Sequence, residues 1–231
     1  MLGVQELSGF GSGRAAPIPE ILWTPFREGS GTTAASVVGP NITLNGSGTW
    51  ATGPRGVGSG WGNLAGGGYG TTAASLTYGS NIITVCHWAY VDFFGPGYPG
   101  APYFSNTSTH GFILDTGGTF AYMPGATTAR AEDYPYAGWT TDAWQHWTIV
   151  WDNSTTSGEI TMYYNGVLQT PTTTYNDKDG TANFTAGTLS VLGDSAGGSS
   201  LRGRMSDVRI YNRQLSAEEA VAVYNDVMPW T

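Results

Sequence analysis

Apolar and polar positions alternate along this chain with a period of two. Trp147, Ile149 and Trp151 fall on one face of a run whose other face carries His146, Thr148 and Val150. Ile160, Met162 and Tyr164 then alternate with Glu159, Thr161 and Tyr163. That period belongs to a strand with one buried face, and the two runs read as a hairpin between Trp144 and Leu168. Asn165-Gly166 closes a further tight turn into Val167-Leu168, because this dipeptide best tolerates two successive positive φ angles. Ile82 to Phe94 is a long β-branched and aromatic run ended by Gly95-Pro96-Gly97. Shorter strands are predicted at Glu20 to Phe26, Asn41 to Leu44, near Trp50, and at Tyr103 to Asn106. Gly111 to Asp115, Thr119 to Met123, Thr188 to Leu192 and Leu201 to Tyr211 follow.

One helix breaks the pattern. Ser216-Ala217-Glu218-Glu219 is a capping box, in which Ser216 accepts from the Glu219 amide while Glu219 reaches back. Ala220, Val223, Tyr224 and Val227 then form a stripe that packs one helical face onto a sheet. Many short strands with one late helix, and no repeat of blade length, predict an all-β fold. The expected architecture is a two-sheet antiparallel jelly-roll sandwich with one short C-terminal helix. Residues 1–18 are Gly/Ser/Ala/Pro-rich and without period, and read as an extended arm; 19–231 read as the domain.

Composition narrows the function classes. Seventeen acids against nine bases, one of them the single lysine Lys178, give a net charge of −8. Nucleic-acid binding needs a clustered cationic surface, so it is excluded. An aromatic content of 13% within 40% apolar residues supplies a core and excludes disorder. No apolar run approaches the roughly 18 residues of a membrane-spanning helix. Met1 to Pro19 lacks the cationic start and apolar centre of an export signal. The lone Cys86 permits no internal disulfide and sits in an apolar run as a small buried hydrophobe.

Three segments in order resemble laminin G-like domains of the concanavalin A-like lectin/glucanase jelly rolls. The centre is Trp144-x-His146-Trp147-Thr148-x-Val150-Trp151-Asp152 followed by Met162-Tyr163-Tyr164-Asn165-Gly166-Val167-Leu168. Leu201-x-Gly203-x-Met205-x-Asp207-Val208-Arg209-Ile210-Tyr211-Asn212-Arg213-x-Leu215-Ser216, with Glu218-Glu219, resembles the family's closing strand and helix cap. Leu22-Trp23-x-Pro25-Phe26-x-Glu28-Gly29-Ser30-Gly31-Thr32 is similar to its first strand and turn, with Arg27 where the family usually has Asn. The family commonly carries two acids before the position of Val208; Ser206 replaces the first and only Asp207 remains. That departure weakens any calcium site the resemblance implies.

The chemistry points away from catalysis. Retaining glucanases of similar fold place carboxylates in an E-x-D-x-x-E strand pattern, about 5–5.5 Å apart. Here Glu159 is followed at i+2 by Thr161, and Glu132-Asp133 point to opposite faces if extended. His146, between two strand tryptophans, reads as a structural histidine. No nucleophile motif occurs, so no catalytic residue is assigned. Asn176-Asp177-Lys178-Asp179-Gly180 looks like an oxygen-rich turn, and Asp177, Asp179 and Asp194 are its candidate calcium ligands. Tyr175 stands where an EF-type loop needs an acid, so Asx-Gly turn chemistry competes with the metal reading. No other cofactor is implied. Trp61, Tyr69, Tyr98, Tyr103 and Trp139 lie in or beside Gly/Pro-rich segments, where aromatic faces either stack on sugar rings or cap the sandwich.

These features predict a non-catalytic recognition or attachment module. Its expected setting is the surface of a bacteriophage particle, made in the host cytoplasm, as a decoration protein. The arm would bind other virion proteins, cell-surface glycans would be ligands, and a homo-oligomer is compatible. A free, extracellular lectin-like domain and an unusual glycoside hydrolase are the alternatives.

Overall fold

The computed structural model describes residues 15–56, 58–92, 101–106, 110–115, 118–123, 130–134, 140–156, 159–176, 184, 186–193 and 201–226. For 101–134 and 173–176 it describes the backbone only. In chain order the strands are β1 (Leu22–Thr24), β2 (Thr33–Ala34), β3 (Ile42–Gly46), β4 (Thr49–Thr52), β5 (Ser59–Asn63) and β6 (Gly68–Thr72). Next come β7 (Ile82–Val91), β8 (Ala101–Asn106), β9 (His110–Asp115), β10 (Gly118–Met123), β11 (Arg130–Tyr134) and β12 (Trp144–Asp152). They end with β13 (Glu159–Tyr164), β14 (Val167–Leu168), β15 (Thr173–Asn176), β16 (Ser190–Val191) and β17 (Gly203–Tyr211), before helix α1 (Ala217–Asn225).

The strands form two antiparallel sheets, as a jelly-roll sandwich requires. Sheet A runs β14-β13-β12-β7-β17-β5-β4, with β1 also paired to β17; sheet B runs β15-β11-β10-β9-β8-β16-β6-β3-β2. The period-two reading of the sequence sets the two faces of sheet A. Ile83, Val85, Trp147, Ile149, Trp151, Met162, Met205 and Ile210 are buried against Ile42, Leu44, Val191 and Leu192 from sheet B. Each such side chain contributes on the order of 1.5–3 kcal/mol by leaving water.

The Asn165-Gly166 turn is as the sequence predicts, with φ of 50° and 78°. The Asn165 side chain further accepts from the His146 amide at 2.8 Å. Helix α1 likewise starts on its capping box, with Ser216 Oγ accepting from the Glu219 amide at 3.2 Å and Glu219 Oε2 from the Ser216 amide at 3.1 Å. Its stripe lands on the outer face of sheet A, where Val223 and Leu215 meet Cys86 and Tyr211. Val227 lies outside the described residues.

Three expectations are corrected. The first strand is Leu22–Thr24 and not Glu20 to Phe26, because Pro25 offers no amide and Phe26 turns to φ 56°. The glycine-rich stretch holds β5 and β6, which alternation cannot reveal where every second residue lacks a side chain. Glycine is required at Gly70, where an added Cβ would come within 2.8 Å of both Ile42 and Val191 side chains. Strands β11 and β15 were also not predicted.

Candidate functional site

The outer face of sheet A carries the even-numbered residues of β7 and β12, in cross-strand rows that grow more exposed toward one end. Thr148 and Cys86 form one row, and the Thr148 hydroxyl lies 3.4 Å from Cys86 Sγ. Burial pushes the Cys86 thiol up to about 12, so it is an inert hydrophobe. In the next row, His146, Trp88 and Ser206 are register partners. Tyr224 of α1 stacks on Trp88 at 5.5 Å, and His146 meets the Trp88 ring edge at 5.2 Å. His146 is 1% exposed, and burial holds its imidazole well below the ordinary histidine range. Its role here is structural, as its place between two tryptophans indicates.

The outermost described row is different. Trp144, Tyr90 and Arg204 are register partners on β12, β7 and β17, and all three are only half-buried. The two rings meet edge to face, with centroids 5.8 Å apart and planes at 68°. The Arg204 guanidinium lies over the Tyr90 ring, 5.8 Å from its centroid. Tyr90 Oη donates to Asp142 Oδ1 at 3.3 Å, and Asp142 itself is exposed. Burial, then the Asp142 charge, raises the Tyr90 phenol, which stays a neutral donor. Trp144 is anchored where Nε1 donates to the Thr52 carbonyl at 3.2 Å. Its six-membered ring closes over Gly60, where a Cβ would stand 2.3 Å from the indole. The site is therefore a fixed aromatic corner flanked by the Asp142 carboxylate and the Arg204 guanidinium, with Asp92, paired to Arg202, also close enough to act on Tyr90.

Of the aromatics singled out from sequence, the two whose side chains are described, Trp61 and Tyr69, are not part of this corner. Trp61 is on β5, not in a loop, and is 3% exposed in the core. Its indole is walled by Gly48 and Gly68, so no face is available to a sugar. Tyr69 is on β6 and half-buried. Tyr103 is on β8, whose backbone alone is described. Tyr98 and Trp139 lie outside the described residues, as do Asp177, Asp179 and Asp194. Trp144 and Tyr90 were legible as strand positions, and their outward parity was the available signal. What marks them as exposed is the end of α1's coverage, which lies in the tertiary structure.

Asp207, the acid left from the implied calcium pair, is committed elsewhere. A bulge between Ser206 and Arg209 puts Asp207 at φ 49°. There it accepts from Trp23 Nε1 at 2.9 Å and from Arg209 Nη2 at 2.7 Å. Arg209, 2% exposed, also donates to Asp226 Oδ2 at 2.8 Å and lies over the Trp23 ring at 5.0 Å. Asp207 and Asp226 thus converge on a guanidinium that neutralises both, an arrangement that ties α1 to β17. Among the described residues no cluster of three His, Cys, Asp or Glu side chains could hold an ion.

Residues 64–221 match the laminin G family model described as the concanavalin A-like lectin/glucanases superfamily. The chain belongs to that family, as its two antiparallel sheets and closing helix also show. It is similar in fold to the botulinum neurotoxin serotype D binding domain, with TM-score 0.66 and 14% identity over 90% of this chain and 52% of that one. The type G receptor binding domain matches with TM-score 0.62 and 15% identity over 90% and 51%. The binding domain of botulinum neurotoxin DC in complex with SialylT matches with TM-score 0.65 and 14% identity over 90% and 52%. The chain thus spans about half the length of these structures. No curated protein matches it.

Proposed function

We propose that this chain is a non-catalytic carbohydrate-recognition module whose binding surface is the Trp144–Tyr90 corner, displayed on the surface of a bacteriophage particle. The observation that carries the reading is the pair of half-buried rings, held 5.8 Å apart on neighbouring strands beside an exposed carboxylate. Such rings present C–H-complementary faces at low entropic cost, and Asp142 supplies an acceptor for hydroxyls. Both rings stand on strands rather than loops, so the surface is preorganised. The receptor-binding neighbours share this fold, and the family includes lectins, which supports the ligand class by analogy.

The virion setting rests on composition. A single lysine and 11% charged residues make a sparsely charged, net acidic Gly/Ser/Thr-rich chain suited to dense display with little charge-driven adhesion. The root of the proposed arm is held to the outer face of sheet A, where Tyr211 Oη donates to the Pro17 carbonyl at 3.0 Å.

A glycan array probed with the full chain tests the ligand class. Bound glycans are expected, and Trp144→Ala, assayed at a temperature where the variant is still folded, should weaken them about tenfold, the worth of one stacked ring. No sugar retained at millimolar concentration, or full binding by the variant, overturns the reading. Mass spectrometry of purified particles from the source tests the setting, and absence of the chain from them rejects it.

A further inference from the structure

An acidic chain normally spends its few guanidinium groups on carboxylates, and three of the described ones do so here. Arg202 pairs with Asp92 at 2.8 Å, Arg209 with Asp207 and Asp226, and Arg213 with Glu219 and Glu20. Arg204 and Arg55 do not, although the chain has seventeen acids to nine bases. Arg204 lies on Tyr90, and its Nε is buried with no hydrogen-bond acceptor. Arg55 lies over Trp88 at 5.3 Å and over Tyr224 at 4.6 Å. Trp88 and Tyr90 are two residues apart on β7, about 6.6 Å along one face. Two guanidiniums with no carboxylate partner among the described residues therefore stand on adjacent rungs of the same outer surface, which is also the proposed sugar surface.

We infer that the corner takes a carboxylate-bearing sugar, with the acid group held by Arg204 beside the Trp144–Tyr90 rings; this rests on the reading of the corner as a carbohydrate site. A planar guanidinium matches a carboxylate with two parallel hydrogen bonds, so it selects that anion by shape as well as charge. Tyr90 holds the guanidinium over its ring, 5.8 Å from the centroid, before any ligand arrives. Asp142 stands at the Tyr90 hydroxyl, so the surface is polarised, acceptor on one side and cation on the other. A sugar acid laid with its ring on the aromatics can turn its hydroxyls to Asp142 and its carboxylate to Arg204. A densely sulfated chain would instead meet the Asp142 charge along the same row. The net charge of −8 does not decide the matter, because at physiological salt charges beyond about 8 Å are screened. Arg55, on the next rung, adds to the local positive field.

The test is a glycan array on which each acidic oligosaccharide is paired with its own neutral form, for example oligogalacturonate with its full methyl ester. The full chain should prefer the acid forms by about tenfold, the worth of one charge-assisted bidentate contact. In Arg204→Gln the ratio of acid to ester binding should shrink to about twofold or less, and the melting temperature shows that the variant is folded. Arg204→Lys should restore part of it, since the charge returns without the fork. Equal binding of acid and ester, or a preference that survives Arg204→Gln, overturns the inference and leaves the carbohydrate reading standing. Failure to bind either member of every pair overturns both.

Discussion

Arg209 shows how much one residue can carry in this molecule. Its guanidinium joins β17 to α1 by satisfying Asp207 and Asp226 at once, with side chains 2%, 15% and 16% exposed. Arg209→Met should therefore cost about 3–5 kcal/mol, because two mostly buried carboxylates would then face each other without a cation. Urea unfolding measures this, and a loss below about 1 kcal/mol would mean that both acids swing into water. Gly166 is the second sensitive position. Its φ is 78°, and an added Cβ would lie 3.1 Å from the Tyr224 ring. Gly166→Val is expected to lower stability by about 1–3 kcal/mol through backbone strain. An unchanged melting temperature would show that the turn relaxes without cost.

Among the elements, α1 is held at its start by chemistry that the sequence displays openly. Ser216, Glu219 and the Arg213–Glu219 pair at 2.8 Å close its first turn. Ser216→Ala should cost about 1 kcal/mol and speed hydrogen exchange in α1 more than in β12. Equal acceleration in both would mean that helix and sheet open as one unit. The strands differ in how well they advertise themselves. β12 and β13 alternate cleanly because one face of each is buried against sheet B. β5 and β6 are buried as well, yet Gly60, Gly62, Gly68 and Gly70 remove the side chains that would alternate. Their glycines answer to contacts from distant segments, such as the Trp144 ring over Gly60, which no local window contains.

For the whole molecule, the two histidines of sheet A set a pH dependence. His87 points into the sandwich, stacked on Trp147 at 5.8 Å, and burial lowers it to about 3. His146, on the opposite face, is lowered in the same direction by burial and then by the charges of His87, Arg209 and Arg55. The unfolded chain binds protons at both sites below about 6.5, while the fold resists doing so until far lower pH. Their contribution is therefore complete above that value and is lost as pH falls toward 3. Between pH 6.5 and 5, where ordinary carboxylates are still ionised, stability should drop by about 2 kcal/mol from His87, with His146 acting in the same direction. Urea unfolding at those two pH values checks the slope. A flat profile would show that both rings find acceptors when protonated.

The chain by itself determined its class of fold, because period-two burial, an Asn-Gly turn and a capping box are local consequences of side-chain direction and backbone preference. Trp147 and Trp151 were core from their parity alone, and Ser216 was a helix start from its neighbours alone. Which aromatic stays accessible was decided only in three dimensions. Trp61 sits among glycines and reads as exposed, but β17 and β4 enclose it in the sandwich. Trp144 sits at the start of a regular strand with nothing local to mark it, yet it lies in the row beyond His146 and Trp88, which Tyr224 covers. Exposure at these positions depends on what distant segments leave uncovered, and that is a property of packing rather than of sequence spacing.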